Sequence, residues 1–206
     1  EVSGGRVFVS DLALDWFRSY RQVIVHFPAG TNVFVGANGQ GKTNLIEAIN
    51  YLAVLASHRI GTDAGLIFRE AGDTASSPAL PRAGVIRARI HPGSDIADPE
   101  ANGELLEMEL LAGRANRAMI NRHNVRPRAL LGHLSTVLFA PEDLQLVQGD
   151  PATRRTFLDR IAIQLRPTLA GALSEYTKVA RQRGAYLKDL AKRRAPIDEI
   201  QLSIWD

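Results

Sequence analysis

The sequence of 206 residues contains no cysteine, which excludes a disulfide framework and a zinc site built on thiolates. No apolar run approaches the roughly 18 residues that would indicate a membrane-spanning helix. The N-terminal residues show neither a starting methionine nor the basic-then-apolar pattern of a signal peptide. These absences together favour a protein of the cytoplasm that has no contact with a membrane.

Lysine is also scarce: the chain has 4 lysines against 21 arginines, and Lys42 is the only lysine in the first 150 residues. The formal charge is −2 over residues 1–150 and +5 over residues 151–206. A basic segment on a nearly neutral body favours a polyanionic partner. A solvated helical face would give the same imbalance, so both interpretations remain open.

The distribution of apolar and turn-forming residues predicts a mixed α/β chain. One short run, residues 32–35, is apolar after its first residue, Asn32, and predicts a strand buried on both faces. Other strands are expected over residues 6–14, 22–27, 85–90, 104–111, 117–120 and 134–140. Turns are expected over residues 15–20 and 121–124, a connecting loop over 91–103, and helices over 43–56, 154–165 and 168–194.

Residues 36–43 match the phosphate-loop pattern G-x-x-x-x-G-K-[ST] in full. Its glycines permit backbone conformations closed to other residues and bring N–H groups close to phosphate oxygens. Lys42 would place a charge at the β- and γ-phosphates, and the Thr43 hydroxyl would bind magnesium. The predicted cofactors are therefore ATP and Mg²⁺, and the predicted binding residues are Gly36, Ala37, Asn38, Gly39, Gln40, Gly41, Lys42 and Thr43.

Four stretches of the sequence carry a resemblance when they are taken together: residues 14–20 (LDWFRSY), 36–48 (the extended phosphate loop), 57–59 (SHR), and 137–144 with 149–151 and 154–159. They resemble the RecF family of bacterial DNA-repair ATPases. The phosphate loop alone is generic, whereas the PEDLQLVQGD segment followed by paired arginines is specific. The resemblance extends over about residues 6–206.

The resemblance implies a P-loop NTPase of the ABC/SMC head type, with an antiparallel β subdomain and the start of a helical lid domain. It implies a nucleotide subdomain over residues 1–148 and a lid over residues 149–206. It also implies an ATP-dependent homodimer that binds DNA and acts with RecO and RecR to help load RecA at gaps. Arg18, Ser19 and Arg59 would approach the nucleotide, although the first two would also suit a surface turn.

Two motifs that such an ATPase needs for hydrolysis are not found in this sequence. One is a signature motif rich in Ser, Gly and Gln, and the other is a Walker B strand that ends in acidic residues. The chain therefore resembles the N-terminal portion of a longer protein, and we expect it not to hydrolyse ATP alone. Gln148, at the junction with the lid, is a candidate for contact with magnesium and the attacking water, or is simply exposed.

Two sets of basic residues are candidates for contacts with DNA. One lies on and around the hairpin expected near residue 121, and the other on the helices that follow residue 150. Because few aromatic residues are interleaved with them, contact with the phosphates of a duplex is favoured over stacking on single strands. The named candidates, each of which would also suit a solvated face, are Arg122, Arg126, Arg128, Arg154 and Arg155.

Two other functions are compatible with the same phosphate loop. The first is an SMC-like ATPase outside DNA repair, against which the segment at residues 139–143 counts. The second is a phosphotransferase for a small metabolite, which would turn over alone and without DNA. None of the strands expected after the phosphate loop is directly followed by an acidic residue, which counts against this second function.

Overall fold

The computed structural model describes residues 7–69, 83–91, 103–144, 146, 149–193 and 202–203. Six strands form one sheet in the order β2-β1-β3-β4-β5-β6, and every neighbouring pair is antiparallel. Their bounds are β1 (Phe8–Phe17), β2 (Tyr20–His26), β3 (Ala83–His91), β4 (Glu104–Leu111), β5 (Arg117–Ile120) and β6 (His123–Val125).

Helix α1 (Lys42–Val54) packs on one face of this sheet. Successive side chains of a strand point to opposite faces, so alternate residues of β1, β3 and β4 form the buried layer. The helix contributes its own buried side chains to the same core. The central members of this core are Leu12, Leu14, Ile86, Leu106, Met108, Leu45, Ala48, Tyr51 and Leu52.

The opposite face of the sheet carries ion pairs between neighbouring strands. Arg87 of β3 bridges Asp15 of β1 and Glu107 of β4, and its Nε lies 2.8 Å from the Glu107 carboxylate. Arg89 lies 3.8 Å from Asp11 in the same way. The sheet is therefore apolar towards α1 and charged on its other side, as expected of an antiparallel sheet covered on one face only.

Two further helices follow the sheet, namely α2 (Pro151–Leu165) and α3 (Leu169–Arg193). Neither contains a fully buried residue, and Leu158 and Leu165 of α2 are largely exposed. Among the described residues, no helix is both long enough and apolar enough to cross a membrane. The boundary between the two expected subdomains, near residue 148, stays a prediction.

Several of the predicted elements are confirmed. The bounds of β4 and β5 agree with the expected strands, and β3 extends its prediction by two residues at the N-terminal end and one at the C-terminal end. The turn expected over residues 15–20 is wrong in extent, because β1 continues to Phe17 and only Arg18 and Ser19 connect it to β2. A short strand, β6, was not predicted. Most of the loop expected over residues 91–103 lies outside the described residues.

The predicted strands at residues 32–35 and 134–140 are wrong for this structure. Both segments lack strand pairing in the part of the chain described, apart from a single bridge at Leu134. Their outward side chains face solvent: Val35 is 91% exposed and Phe139 is 83% exposed. A strand requires a neighbour to satisfy its backbone groups, and apolar composition alone does not supply one.

Because Leu106 lies at the centre of the core, shortening its side chain should lower the free energy of unfolding substantially. Leu106→Ala should destabilise the fold by about 2–5 kcal/mol, because it removes buried methyl groups and leaves a cavity. Leu158→Ala, at a position 62% exposed on α2, is the matched control and should change stability by less than about 0.5 kcal/mol. Urea unfolding followed by circular dichroism measures both variants, and equal costs would contradict this placement of the core.

Candidate nucleotide-binding site

The glycine-rich segment is an exposed loop that leads directly into the N-terminus of α1. Gly39 and Gly41 have positive φ values of 84° and 93°, a region that glycine enters at little cost. Gly41 also caps the helix, since the backbone N–H groups of Asn44 and Leu45 both donate to its carbonyl. The chain thus turns sharply and aims the N-terminal end of α1, with its partial positive charge, out of the loop.

The β1–β2 turn lies against this loop. A Cβ placed on Gly41 would lie 2.6 Å from Ser19 Oγ and 2.8 Å from the Tyr20 hydroxyl. Asn44 adds a hydrogen bond, in which its Nδ2 donates to Ser19 Oγ at 2.9 Å. Glycine at position 41 is therefore required by close approach as well as by backbone conformation, and Ser19 lies directly beside the loop.

Lys42 folds back over the loop that precedes it. Its ammonium donates to the carbonyl oxygens of Gly36 and Ala37, at 2.8 and 2.7 Å. Thr43, the next residue, is exposed at the first turn of α1. A lysine ammonium, an accessible hydroxyl and the N–H groups of a helix N-terminus are a donor set suited to phosphate oxygens and a magnesium ion. The residues present thus fit both predicted cofactors.

A buried carboxylate, Glu47, lies one helical turn after this donor set. It is 0% exposed, and Arg18 binds both of its oxygens, with Nε donating to Oε2 at 2.8 Å and Nη2 to Oε1 at 2.6 Å. The Ser57 hydroxyl donates to Oε1 as well. Arg59 lies 3.9 Å from Oε2 and donates to Asn44 Oδ1 at 3.3 Å.

The electrostatics of Glu47 follow from these partners. Burial alone would raise the pKa of its carboxyl group. Hydrogen bonds from Arg18 and Ser57, together with the charges of Arg18 and Arg59, outweigh burial and hold the pKa below its ordinary value. Glu47 is therefore ionised at neutral pH and holds two arginines close to the first turn of α1.

The structure brings Arg18, Ser19 and Arg59 together beside the phosphate loop, and their contact with a nucleotide stays a prediction. The side chains of the two arginines contact Glu47 and Asn44, which the sequence analysis did not assign to the site. Glu47 lies four residues before the buried Tyr51, so an acidic residue on an otherwise buried helical face was the available signal. Gln148 lies outside the described residues.

The predicted DNA contacts lie in two places on the surface. Arg122 occupies the tip of the β5–β6 hairpin, where it and Asn121 both have positive φ, the backbone of a tight two-residue turn. The Asn121 side chain accepts a hydrogen bond from the Leu105 N–H and so fixes this turn to β4. The other candidates, all exposed, are Arg126 and Arg128 after β6 and Arg154 and Arg155 in the first turn of α2.

Comparison with known proteins identifies the family. A domain family described as an AAA domain matches residues 11–77. The chain is 45% identical over 199 residues to the DNA replication and repair protein RecF of Leifsonia xyli subsp. xyli, covering 96% of this chain and 47% of that protein. It is 44% identical over 201 residues to RecF of Acidothermus cellulolyticus, covering 97% of this chain and 50% of that protein. The chain belongs to the RecF family.

Solved structures show the same fold. A structure of the recombination mediator protein RecF-ATPrS in the RecFOR pathway matches with a TM-score of 0.81 at 23% identity. The match covers 100% of this chain and 51% of the RecF chain in that structure. An Smc head domain from Pyrococcus furiosus matches with a TM-score of 0.52 at 20% identity. The match covers 91% of this chain and 48% of the Smc chain. The expected fold of an ABC/SMC head is thus confirmed, and the chain spans about half the length of the RecF relatives it matches.

The Glu47–Arg18 pair in this RecF-family chain predicts a specific effect on stability. Glu47→Gln should destabilise the fold by about 3 kcal/mol, because it leaves Arg18 without a counterion at a site from which water is largely excluded. Asp189→Asn is the matched control: it breaks the exposed pair between Asp189 and Arg193, four residues apart on α3, and should cost about 0.3–0.5 kcal/mol. Denaturant unfolding at neutral pH measures both, and similar costs would contradict the buried network.

The lowered pKa of Glu47 also predicts how stability depends on pH. A carboxyl group whose folded pKa lies below its unfolded value of about 4.3 stabilises the fold above that pH. The contribution is lost as pH falls through the folded pKa. The stability difference between the parent and Glu47→Gln should therefore be full near neutral pH and shrink as the pH falls below about 4.3 and through the folded pKa. A difference that stays constant across acid unfolding titrations would show that Glu47 does not titrate as inferred.

Proposed function

We propose that this chain binds ATP and magnesium at its phosphate loop and couples that binding to contact with DNA, as the nucleotide-binding part of a recombinational repair ATPase. The observation that carries this proposal is the arrangement of Gly41, Lys42 and Thr43 at the N-terminus of α1. Membership of the RecF family and the fold shared with RecF and SMC heads support it.

Each part of the loop has a role in binding the triphosphate. The backbone N–H groups of the loop and of the first turn of α1 would surround the phosphates. The Lys42 ammonium would exchange its two carbonyl partners for phosphate oxygens, and the Thr43 hydroxyl would hold magnesium. Arg18, Ser19 and Arg59 would flank the nucleotide on the side of the β1–β2 turn. A relative by fold is described as RecF-ATP, which supports ATP as the nucleotide.

Contact with DNA is proposed for the exposed arginines. Arg122, Arg126 and Arg128 extend from the end of the sheet formed by β5 and β6, and Arg154 and Arg155 from the start of α2. Guanidinium groups bind phosphates through parallel hydrogen bonds. Binding through these side chains would depend strongly on salt, because each contact displaces counterions from the nucleic acid.

Dimerisation driven by ATP, and assembly with RecO and RecR to load RecA, belong to the same proposal. A solved structure of SMC ATPases with a similar fold is described in terms of ATP-driven dimerisation and activation by DNA. In this arrangement, residues 1–148 hold the nucleotide, and residues 149–206 begin the lid that a second subunit would engage. The expectation that this chain does not turn over ATP alone stays a prediction.

Binding to labelled duplex DNA, measured by fluorescence anisotropy, tests the proposal. The measurement is made with and without MgATP at two salt concentrations, for the parent and for Lys42→Ala. The parent should bind DNA in a salt-sensitive way and more tightly with MgATP, whereas Lys42→Ala should lose the effect of MgATP because it lacks the charge at the phosphates.

Three outcomes distinguish the parts of the proposal. Loss of the MgATP effect in Lys42→Ala, with retained salt-sensitive binding, supports the coupling of nucleotide and DNA. Nucleotide binding without DNA binding at either salt concentration would overturn the assignment of DNA contacts to this chain. Turnover of ATP with a small acceptor and without DNA would indicate a metabolite phosphotransferase instead.

A further inference from the structure

Helix α2 is connected to the segment after α1 by one arginine. Arg160 lies on α2 and is half buried, and its Nη2 donates to the main-chain carbonyl of Ser57 at 3.0 Å. Burial lowers the pKa of its guanidinium, while the charge of Asp143 acts in the opposite direction. A charged group is held away from water only where its contacts compensate, so this placement points to a specific role for the contact.

The packing around Arg160 is open on two sides. A cavity of about 440 Å³ lies between α2 and the end of α1, with Val54, Phe157 and Ile161 among its lining residues. A second cavity of about 490 Å³ lies between α2 and α3, with Ala170 and Leu173 in its lining. Arg160 lines both cavities. Because continuous apolar packing does not fix α2 here, its hydrogen bond to Ser57 is a discrete link between α2 and the rest of the chain.

Ser57 connects Arg160 to the proposed nucleotide site. Its carbonyl accepts the hydrogen bond from Arg160, and its buried hydroxyl donates one to Glu47. The same hydroxyl accepts hydrogen bonds from the backbone N–H groups of Arg59 and Ile60, at 3.0 and 3.2 Å. Residues 57–60 therefore form a tight turn in which a displacement of the carbonyl also displaces the hydroxyl and Arg59.

The contacts of Glu47 and Arg59 continue this connection to the phosphate loop. Glu47 holds Arg18, whose neighbour Ser19 lies against Gly41. Arg59 contacts Asn44, which in turn binds Ser19. The loss of a hydrogen-bond donor to a buried carboxylate costs a large free energy. A displacement of Ser57 should therefore rearrange all the hydrogen bonds of Glu47 together.

We propose that Arg160 is a positioning residue for the nucleotide: through Ser57 and Glu47, it couples the placement of helix α2 to the phosphate loop. The coupling is reciprocal, so bound nucleotide also favours the α2 placement in which Arg160 contacts Ser57. This proposal rests on the proposed function, in that it requires MgATP to bind at residues 36–43. It gives the lid a direct effect on nucleotide affinity within a single subunit.

A second connection between α2 and α1 provides the matched control. Gln164 of α2 accepts a hydrogen bond from the Thr136 N–H at 2.8 Å, and the Thr136 hydroxyl donates to Asn50 of α1. This connection attaches α2 to the same helix but does not pass through Glu47. Removing it by Gln164→Met tests whether any loosening of α2 is sufficient, or whether the route through Ser57 is required.

The experiment measures the affinity of the 206-residue chain for a fluorescent ATP analogue with magnesium. The variants are Arg160→Met, Arg160→Lys, Ser57→Ala, the double variant Arg160→Met with Ser57→Ala, and Gln164→Met. Arg160→Met and Ser57→Ala should each weaken binding roughly tenfold, and the double variant should be no weaker than either one. Arg160→Lys, which keeps a donor, should restore part of the affinity, and Gln164→Met should bind as the parent does.

The outcomes separate this proposal from the proposed function. Failure of the parent to bind the analogue would overturn the proposed function and this inference with it. If the parent binds while Lys42→Ala does not, equal affinity of Arg160→Met and the parent overturns the coupling alone. Additive losses in the double variant, or an equal loss in Gln164→Met, would also overturn it. Should Arg160→Met fail to fold, Arg160→Lys and Ser57→Ala with their double variant test the same coupling.

Discussion

The ion pair between Glu47 and Arg18 is the interaction on which the rest of this site depends. It lies where three parts of the chain meet: the β1–β2 turn, the helix that follows the phosphate loop, and the segment after that helix. A completely buried carboxylate is tolerated only together with its partners, because removal of a partner leaves an uncompensated buried charge. Folding of the sheet and correct placement of the phosphate loop are therefore linked through one side chain.

Helix α1 performs two tasks that place opposite demands on its sequence. Under the proposed function, its first turn must remain open and free of a side-chain cap so that phosphate oxygens can approach its N–H groups. Its later turns must be apolar to cover the sheet, as Leu45, Ala48 and Leu52 do. Glu47 lies between the two regions, and its charge is tolerated because arginines from outside the helix neutralise it. The proposed phosphate site is thereby built directly on the core.

The sequence allowed prediction of what depends on local pattern. The phosphate loop, α1 and the central strands follow from motif and periodicity, whereas the approach of Arg18 and Ser19 to the nucleotide was implied only by the family resemblance. The strands expected at residues 32–35 and 134–140 were wrong, since a strand depends on a neighbour that its own composition does not reveal. Glu47 was missed because burial of an acidic side chain depends on partners distant in sequence. The link through Arg160 was missed because it joins residues 103 positions apart.

The exposed apolar side chains of the segments at residues 32–35 and 134–140, such as Val35 and Phe139, have a practical consequence for studies in solution. Extended segments with outward apolar side chains and unpaired backbone groups favour association between copies of a chain. Such association rises with protein concentration and needs no nucleotide. Oligomers of this chain in solution would thus have two physical origins, and only the part that grows when MgATP is added at fixed protein concentration would report on the phosphate loop.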